Sequence, residues 1–143
     1  MSEENKAIAR RIFEEVWGAY NLDKVEEYYA ANLIDHNELP GFPPGREGVK
    51  ASVSMFASAL SDNDIAVEDQ IAEGDKVVTR WTAHGTHQGE LMGIPATDKS
   101  STITGINVDR ITNGKIVESW GIFDQFGMMQ QLGVISMPEP VSK

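Results

Sequence analysis

The feature that most constrains the fold of this chain is Asn113-Gly114, which lies between two segments of alternating apolar residues. Both residue types tolerate the positive φ angles of a two-residue type I′ turn, so the pattern predicts a β-hairpin. Counting outward from this turn predicts four cross-strand pairs: Ile111 with Ile116, Asp109 with Glu118, Asn107 with Trp120, and Ile103 with Asp124.

One face of the predicted hairpin concentrates functional groups. Because side chains alternate along a strand, this register puts an amide, an indole and two carboxylates on one surface. The residues of this face are Asn107, Glu118, Trp120, Ile122 and Asp124. A carboxylate beside an aromatic ring in a dry pocket is suited to proton transfer. The alternative interpretation is that Asp124 caps a following helix and Glu118 faces water.

Composition limits the class of protein. The chain has 143 residues, 41% of them hydrophobic, which fits one domain with a substantial core. The net charge of −10 argues against nucleic acid or an anionic membrane as partner. Without cysteine, a disulfide, a thiolate nucleophile and a Cys-ligated metal are all excluded. No secretory segment or membrane-length apolar run is present, so we expect a soluble cytoplasmic protein.

The apolar spacing changes along the chain from helical to strand-like. It predicts helices over 3–20, 24–31, 46–60 and 125–132, and strands over 65–71, 76–86, 100–111 and 115–123. Helices that are segregated from strands indicate an α+β fold with an antiparallel sheet. We expect a single domain over 1–135 and a loose tail over 136–143.

A curled sheet would open a pocket between its concave face and the long first helix. Trp17 and Tyr20 end the apolar stripe of that helix, at the expected rim of the pocket or, alternatively, in the core. His36 and Asp35 follow the second predicted helix, where a histidine could titrate near neutral pH. The alternative for His36 is a surface role.

Metal binding is not expected. His84 and His87 lie three residues apart, and this spacing puts them on opposite faces of a strand unless a bend at Gly85 resets the facing of His87. The sequence also lacks a Gly-rich phosphate loop, a GxSxG elbow, an HExxH motif and an acidic calcium loop. The remaining candidates are general acids and bases: Asp124, His36, His84, His87 and Glu118.

Several segments, in order over about residues 5–135, resemble the SnoaL-like polyketide cyclase branch of the NTF2-like superfamily. They are Asp35-His36, Gly85-Thr86-His87-Gln88-Gly89, Gly93-Ile94-Pro95-Ala96-Thr97, Gly114-Lys115-Ile116-Val117-Glu118-Ser119-Trp120, Asp124 and Gln130-Gln131-Leu132-Gly133. The resemblance implies a cone-like curved sheet wrapped on the first helix. It also implies a cofactor-free enzyme that closes a polyketide ring by aldol condensation.

By the same resemblance, an Asp at a strand–helix junction shuttles the proton, and Asp124 occupies that place. A partner histidine is expected in the pocket, but strand 100–111 has none, so His36 or His87 must serve, or the chemistry differs. Asp98 also stands where similar sequences carry Gly. The predicted catalytic residues are therefore Asp124 and His36. The predicted pocket residues are Trp120, Asn107, His87, Arg80, Trp17 and Glu118.

Two other functions stay open at this point. One is a small-molecule binding protein without chemistry, since this scaffold hosts many functions. The other is an epoxide-type hydrolase, in which Arg80 and Asp124 would activate water. Trp81 and other apolar residues on the sheet also lead us to expect a two-fold homodimer formed through the outer face.

Overall fold

The computed structural model describes residues 2–37 and 39–136, so the predicted tail lies outside the described residues except for Ser136. Helix α1 (Ser2–Ile12) continues into a π-helical segment (Phe13–Gly18), and a 3-10 turn (Leu22–Lys24) leads into α2 (Val25–Tyr28). The remaining elements are β1 (Tyr29–Asp35), α3 (Gly45–Ala59), β2 (Leu60–Glu73), β3 (Lys76–His87), β4 (Ser100–Thr112), β5 (Lys115–Phe123) and α4 (Gln125–Gln131).

The five strands form one curved sheet in the order β1-β5-β4-β3-β2. All neighbours are antiparallel except β1, which pairs in parallel with β5. The α+β class and the N-terminal helices are as predicted. No helix of the described residues is both long and apolar enough to cross a bilayer.

The predicted second helix is too long, because its last residues belong to strand β1. That helix ends at Tyr28, and the chain from Tyr29 extends along the edge of β5. Aromatic residues favour strands, but this edge becomes available only when a segment some 80 residues later has folded, so no local pattern reveals it. His36 therefore follows a strand, not a helix.

The inner face of the sheet holds two apolar clusters. The first joins α1, α2, β1 and α3 to the sheet through residues that include Ile12, Val16 and Val53. The second lies under α4 and contains Leu91, Ile103, Met128 and Leu132. Removing this much apolar surface from water is the main stabilising contribution to the fold. The two clusters leave a space between them, in which the candidate site lies.

A β-bulge corrects the predicted hairpin register. Ile111 pairs with Ile116 as predicted, but the register shifts between Arg110 and Ile111. Beyond the shift, Asp109 pairs with Ser119 and not with Glu118. Because the side-chain period of a strand is two, a shift of one residue exchanges the faces.

The exchange of faces changes which side chains lie on the inner face of the sheet. Asn107 now pairs with Gly121, and Val108 pairs with Trp120. The side chains of Glu118 and Trp120 accordingly lie on the outer face, whereas Ser119 is buried on the inner face.

Candidate functional site

A cavity of about 220 Å³ lies between the helices and the inner face of the sheet. The wall of the cavity is mostly apolar and aromatic, and residues of both apolar clusters contribute to it. The polar residues of the wall are Asp35, Asn37, Asn63, Asn107, Asp109, Ser52 and Ser119, with the hydroxyls of Tyr20 and Tyr29. A mostly apolar cavity with a few converging polar groups is the usual form of a small-molecule site.

Four aromatic side chains give the cavity flat walls. Phe13 lies against Trp81 with ring centroids 6.1 Å apart, and Trp17 meets Phe56 edge-on at 6.4 Å. The indole Nε1 of Trp17 donates to the hydroxyl of Tyr29 at 3.1 Å, which fixes the orientation of both rings. Such walls suit a flat, apolar ligand.

Two carboxyls and a hydroxyl form a row across three strands. Asp35 on β1 pairs with Ser119 on β5, and Ser119 pairs with Asp109 on β4. Directly paired positions hold their side chains about 5 Å apart on one face. The Ser119 hydroxyl donates to Asp109 Oδ1 at 2.7 Å. The row therefore brings two acidic groups together at one side of the cavity.

Asn37 extends this row from the loop after β1. Its Nδ2 donates to Ser119 Oγ at 3.3 Å, and its backbone N–H donates to Asp35 Oδ1 at 2.9 Å. Asp109, Ser119 and Asn37 thus form a continuous hydrogen-bonded chain in which each donor points toward Asp109.

Asp109 has the properties of a proton-transfer group. Its side chain is 3% exposed. Burial raises the pKa of Asp109 from 3.8 to about 7, the Ser119 hydrogen bond opposes that rise, and the charge of Asp35 adds to it. A carboxyl with a pKa near neutrality can both take and return a proton at physiological pH.

Two glycines allow the polar end of the cavity to form. A Cβ at Gly105 would lie 2.2 Å from the Trp81 ring, so only glycine lets this indole lie across β4. A Cβ at Gly121 would lie 2.7 Å from Asn107 Nδ2. Trp81 Nε1 donates to Asn107 Oδ1 at 2.9 Å, and this bond leaves the Nδ2 group over Gly121 on the cavity side.

Of the predicted site residues, Trp17 and Asn107 line this cavity. Asp124 does not: it is exposed, and its Oδ1 accepts a hydrogen bond from the backbone N–H of Gly127 at 2.9 Å. It is the N-cap of α4, which was the alternative interpretation of this residue. The predicted placement of Asp124 in the pocket is therefore corrected.

His36, Glu118 and Trp120 form a separate group on the outer face. The His36 ring stacks on Trp120 at 4.9 Å, and its Nε2 lies 2.8 Å from Glu118 Oε2. Glu118 also pairs with Arg110, and the hydrogen bonds from His36 and Arg110 lower the pKa of Glu118. None of these four residues lines the cavity, and Glu118 and Trp120 face outward because the bulge shifts the register of β5.

His87 and Arg80 are also placed elsewhere. His87 is fully buried at the end of β3, where its Nδ1 lies 3.0 Å from Thr97 Oγ1 in the following loop. His84 is exposed, so the two histidines do lie on opposite faces as predicted. Arg80 is exposed and shares a shallow outer depression with Asp124, so the residues that the hydrolase hypothesis needs lie outside the cavity.

Asp109 and Ser119 were not among the predicted site residues, and no role was predicted for Asp35. A signal for Asp109 was present: it lies in phase with Ile103 and Ile111, the buried positions of β4. A carboxyl at a core position is rare unless it is paired or functional. Ser119 carried no comparable signal, because its face depends on the bulge.

Replacing Asp124 with Ala is expected to destabilise the protein by about 1 kcal/mol, because the N-cap acceptor of α4 is lost. Asp124→Asn keeps a good capping group and serves as the matched control. Urea unfolding of the three proteins measures the difference. A loss of several kcal/mol from Asp124→Asn would contradict the assignment of this carboxyl as a simple cap.

Within residues 2–37 and 39–136, no group of three His, Asp or Glu side chains is arranged to hold a metal ion.

Comparison with known sequences identifies one family. The family model described as SnoaL-like polyketide cyclase matches residues 7–132. Aklanonic acid methyl ester cyclase DnrD of Streptomyces peucetius is 31% identical over 136 residues, which cover 88% of this chain and 88% of the relative. Nogalonic acid methyl ester cyclase of Streptomyces nogalater is 28% identical over 113 residues, covering 78% of this chain and 84% of the relative.

Solved structures agree on the fold. TsrD from Streptomyces laurentii superposes with a TM-score of 0.84 over 93% of this chain and 97% of that protein, at 24% identity. The similarity supports the predicted NTF2-like architecture of a curved sheet with helices on its inner face.

Proposed function

The chain belongs to the SnoaL-like polyketide cyclase family, and from this premise we propose that it closes a ring in a carbonyl-rich, polyketide-like small molecule by an aldol-type reaction. Asp109 transfers the proton, and the reaction uses no cofactor. The observation that carries the proposal is the buried Asp109 carboxyl at the wall of an aromatic-lined cavity. The two relatives are methyl ester cyclases by name, so a methyl ester of a polyketide acid is the first substrate class to test.

The cavity supports each step of such a reaction. The ionised Asp109 takes a proton from a carbon next to a carbonyl group, and an enolate forms. The enolate carbon attacks a second carbonyl carbon of the same molecule, and one C–C bond forms. The resulting alkoxide takes the proton back from Asp109. The reaction is an isomerisation, so no other reactant is consumed.

Asn107 is the proposed partner of the developing negative charge. Its Oδ1 is occupied by the Trp81 N–H, so its Nδ2 group is the part that can donate to an enolate oxygen. A fixed donor aimed at such an oxygen stabilises the transition state more than the ground state. The uncharged amide serves here in place of the histidine that the family resemblance led us to expect.

Turnover of a methyl ester substrate tests the proposed function. Aklanonic acid methyl ester is incubated with the purified protein, and the cyclised product is followed by chromatography and mass spectrometry. The mass does not change on ring closure, so the product must be identified by retention and absorbance. Tight binding without conversion would favour the alternative of a non-catalytic binding protein.

We also propose a homodimer formed through the outer face of the sheet. Ile106 and Ile122 pair across β4 and β5, and they are 50% and 81% exposed. Arg80 and Asp124 flank this apolar surface. A two-fold axis through it would bring Arg80 of one copy opposite Asp124 of the other, which makes the surface complementary to itself. Trp81, which the sequence suggested for this interface, lines the cavity instead.

Replacing Ile122 with Lys is expected to convert the proposed dimer into a monomer, because two like charges would face each other near the axis. Multi-angle light scattering measures the mass of both proteins. Ile71→Lys, at another exposed outer position, is the control and should leave the mass unchanged. A wild-type protein with the mass of one chain would overturn the proposed dimer.

A cytoplasmic location remains part of this proposal, and fractionation of cells that express the chain would test it.

A further inference from the structure

Two polar atoms of the cavity wall are buried and have no hydrogen-bond partner among the described residues. They are the Tyr20 hydroxyl oxygen and Asn37 Oδ1. A buried polar atom without a partner destabilises a protein, so such atoms in a binding cavity indicate groups that a ligand completes. The two atoms come from different parts of the chain, the end of the first helix and the loop after β1.

The backbone of Tyr20 supports a functional reason for its position. Its φ is 55°, in the left-handed region that bulky residues rarely adopt. This conformation ends the first helix and brings the phenol to the cavity wall. Residues held in this region cluster at active sites and ligand-binding positions. Burial raises the pKa of Tyr20 to about 12, so the hydroxyl keeps its proton and can donate it in a hydrogen bond.

The orientation of the Asn37 amide follows from its neighbours. Ser119 Oγ gives its only proton to Asp109, so Ser119 can only accept a hydrogen bond from Asn37. The NH₂ group of Asn37 must therefore face Ser119, and its Oδ1 faces away. The Asp109 network thus fixes a hydrogen-bond acceptor at a defined position of the cavity.

We propose that Tyr20 and Asn37 form a recognition pair, in which the Tyr20 hydroxyl donates to a ligand carbonyl and Asn37 Oδ1 accepts from a ligand hydroxyl. This inference deepens the proposed function and rests on it. It narrows the substrate class to flat molecules that carry both a carbonyl and a free hydroxyl. A ligand without the hydroxyl leaves Asn37 Oδ1 unpartnered and is bound less tightly.

Binding of inert probes tests the pair separately from catalysis. The probes are unsubstituted anthraquinone and a dihydroxyanthraquinone whose hydroxyls are remote from its carbonyls. For Tyr20→Phe we expect the Kd of both probes to rise about 2- to 10-fold, the effect of one hydrogen bond. For Asn37→Ala we expect the preference of the wild type for the dihydroxy probe to disappear. Quenching of the fluorescence of the cavity tryptophans measures the Kd of each probe for the wild type and for both variants.

Stability separates recognition from a purely structural role. Loss of an unpartnered buried hydroxyl is expected to leave the unfolding midpoint of Tyr20→Phe unchanged or raised. Tyr28→Phe is the matched control, because the Tyr28 hydroxyl donates to Glu15 at 2.6 Å and lies outside the cavity lining. That variant should lose stability and keep the wild-type Kd.

Each outcome decides the inference. A Tyr20→Phe protein with lower stability and an unchanged Kd overturns it, as does a wild type that binds neither probe. Weaker probe binding by Tyr20→Phe supports it even if no methyl ester is turned over, in which case only the proposed reaction fails. Normal turnover with unchanged probe binding in both variants leaves the proposed reaction intact and removes the recognition pair.

Discussion

Replacing Asp109 with Asn is expected to lower kcat/KM for ring closure by about 10²- to 10⁴-fold, the usual contribution of one positioned general base. Asn keeps the shape of the side chain and an oxygen that can accept from Ser119, so the cavity should be preserved. What is lost is the ability to take and return a proton. The rate of ring closure with a methyl ester substrate is the measurement.

Asp124→Asn is the matched control, because it makes the same chemical change at an exposed carboxyl outside the cavity lining. It should retain kcat/KM within about twofold. In the wild type, kcat/KM should rise with pH through about 7, where Asp109 ionises, and Asp109→Asn should lack this dependence. Equal activity of Asp109→Asn and the wild type would exclude Asp109 as the base.

The same variant should change how stability depends on pH. The pKa of Asp109 is raised from 3.8 to about 7 in the folded protein. Below the pKa of the unfolded chain, the Asp109 carboxyl is protonated in both the folded and the unfolded state. It therefore does not lower the free energy of unfolding there. Between the pKa of the unfolded chain and that of the folded protein only the unfolded chain is ionised, so the wild type loses stability relative to Asp109→Asn as pH rises from 3.8 to about 7. The difference should approach about 4 kcal/mol at pH 8.

Urea unfolding of both proteins at pH 4 and pH 8 measures this difference. Comparison with the variant removes the contribution of the other carboxyls, which titrate in both proteins. Asp124→Asn should follow the wild type across this range. A constant difference between Asp109→Asn and the wild type at both pH values would mean that Asp109 ionises normally in the fold.

Much of the fold follows from local patterns in the sequence. The period of the apolar residues located α1 with its π-helical continuation, and also α3, β3, β4 and β5, to within a few residues. Asn113-Gly114 fixed the hairpin turn, and Asn113 has the positive φ of 53° that this turn requires. Strand β1 was missed because its partner, β5, lies far along the chain.

The site was less predictable, because it depends on one irregularity. Counting from the turn gives the correct pair Ile111–Ile116, and then fails at the bulge. Past that point each predicted inner residue of β5 is an outer one, which moved Glu118 and Trp120 out of the site. Bulges leave little trace in hydrophobic alternation, so the error could not be seen from the chain alone. Asp109 could have been found, since it shares the phase of Ile103 and Ile111 on β4.

The bulge beside Ile111 also means that one residue of β5 takes no part in the pairing of the hairpin. Deleting that residue, Val117, would leave Ile116 opposite Ile111 and Glu118 opposite Arg110, as neighbouring pairs of a regular ladder. Ser119 would stay opposite Asp109 and keep its hydrogen bond, and the side chains of Glu118 and Trp120 would stay on the outer face. The loss of one codon at this point of the gene would therefore straighten the strand and keep the same side chains in the hollow.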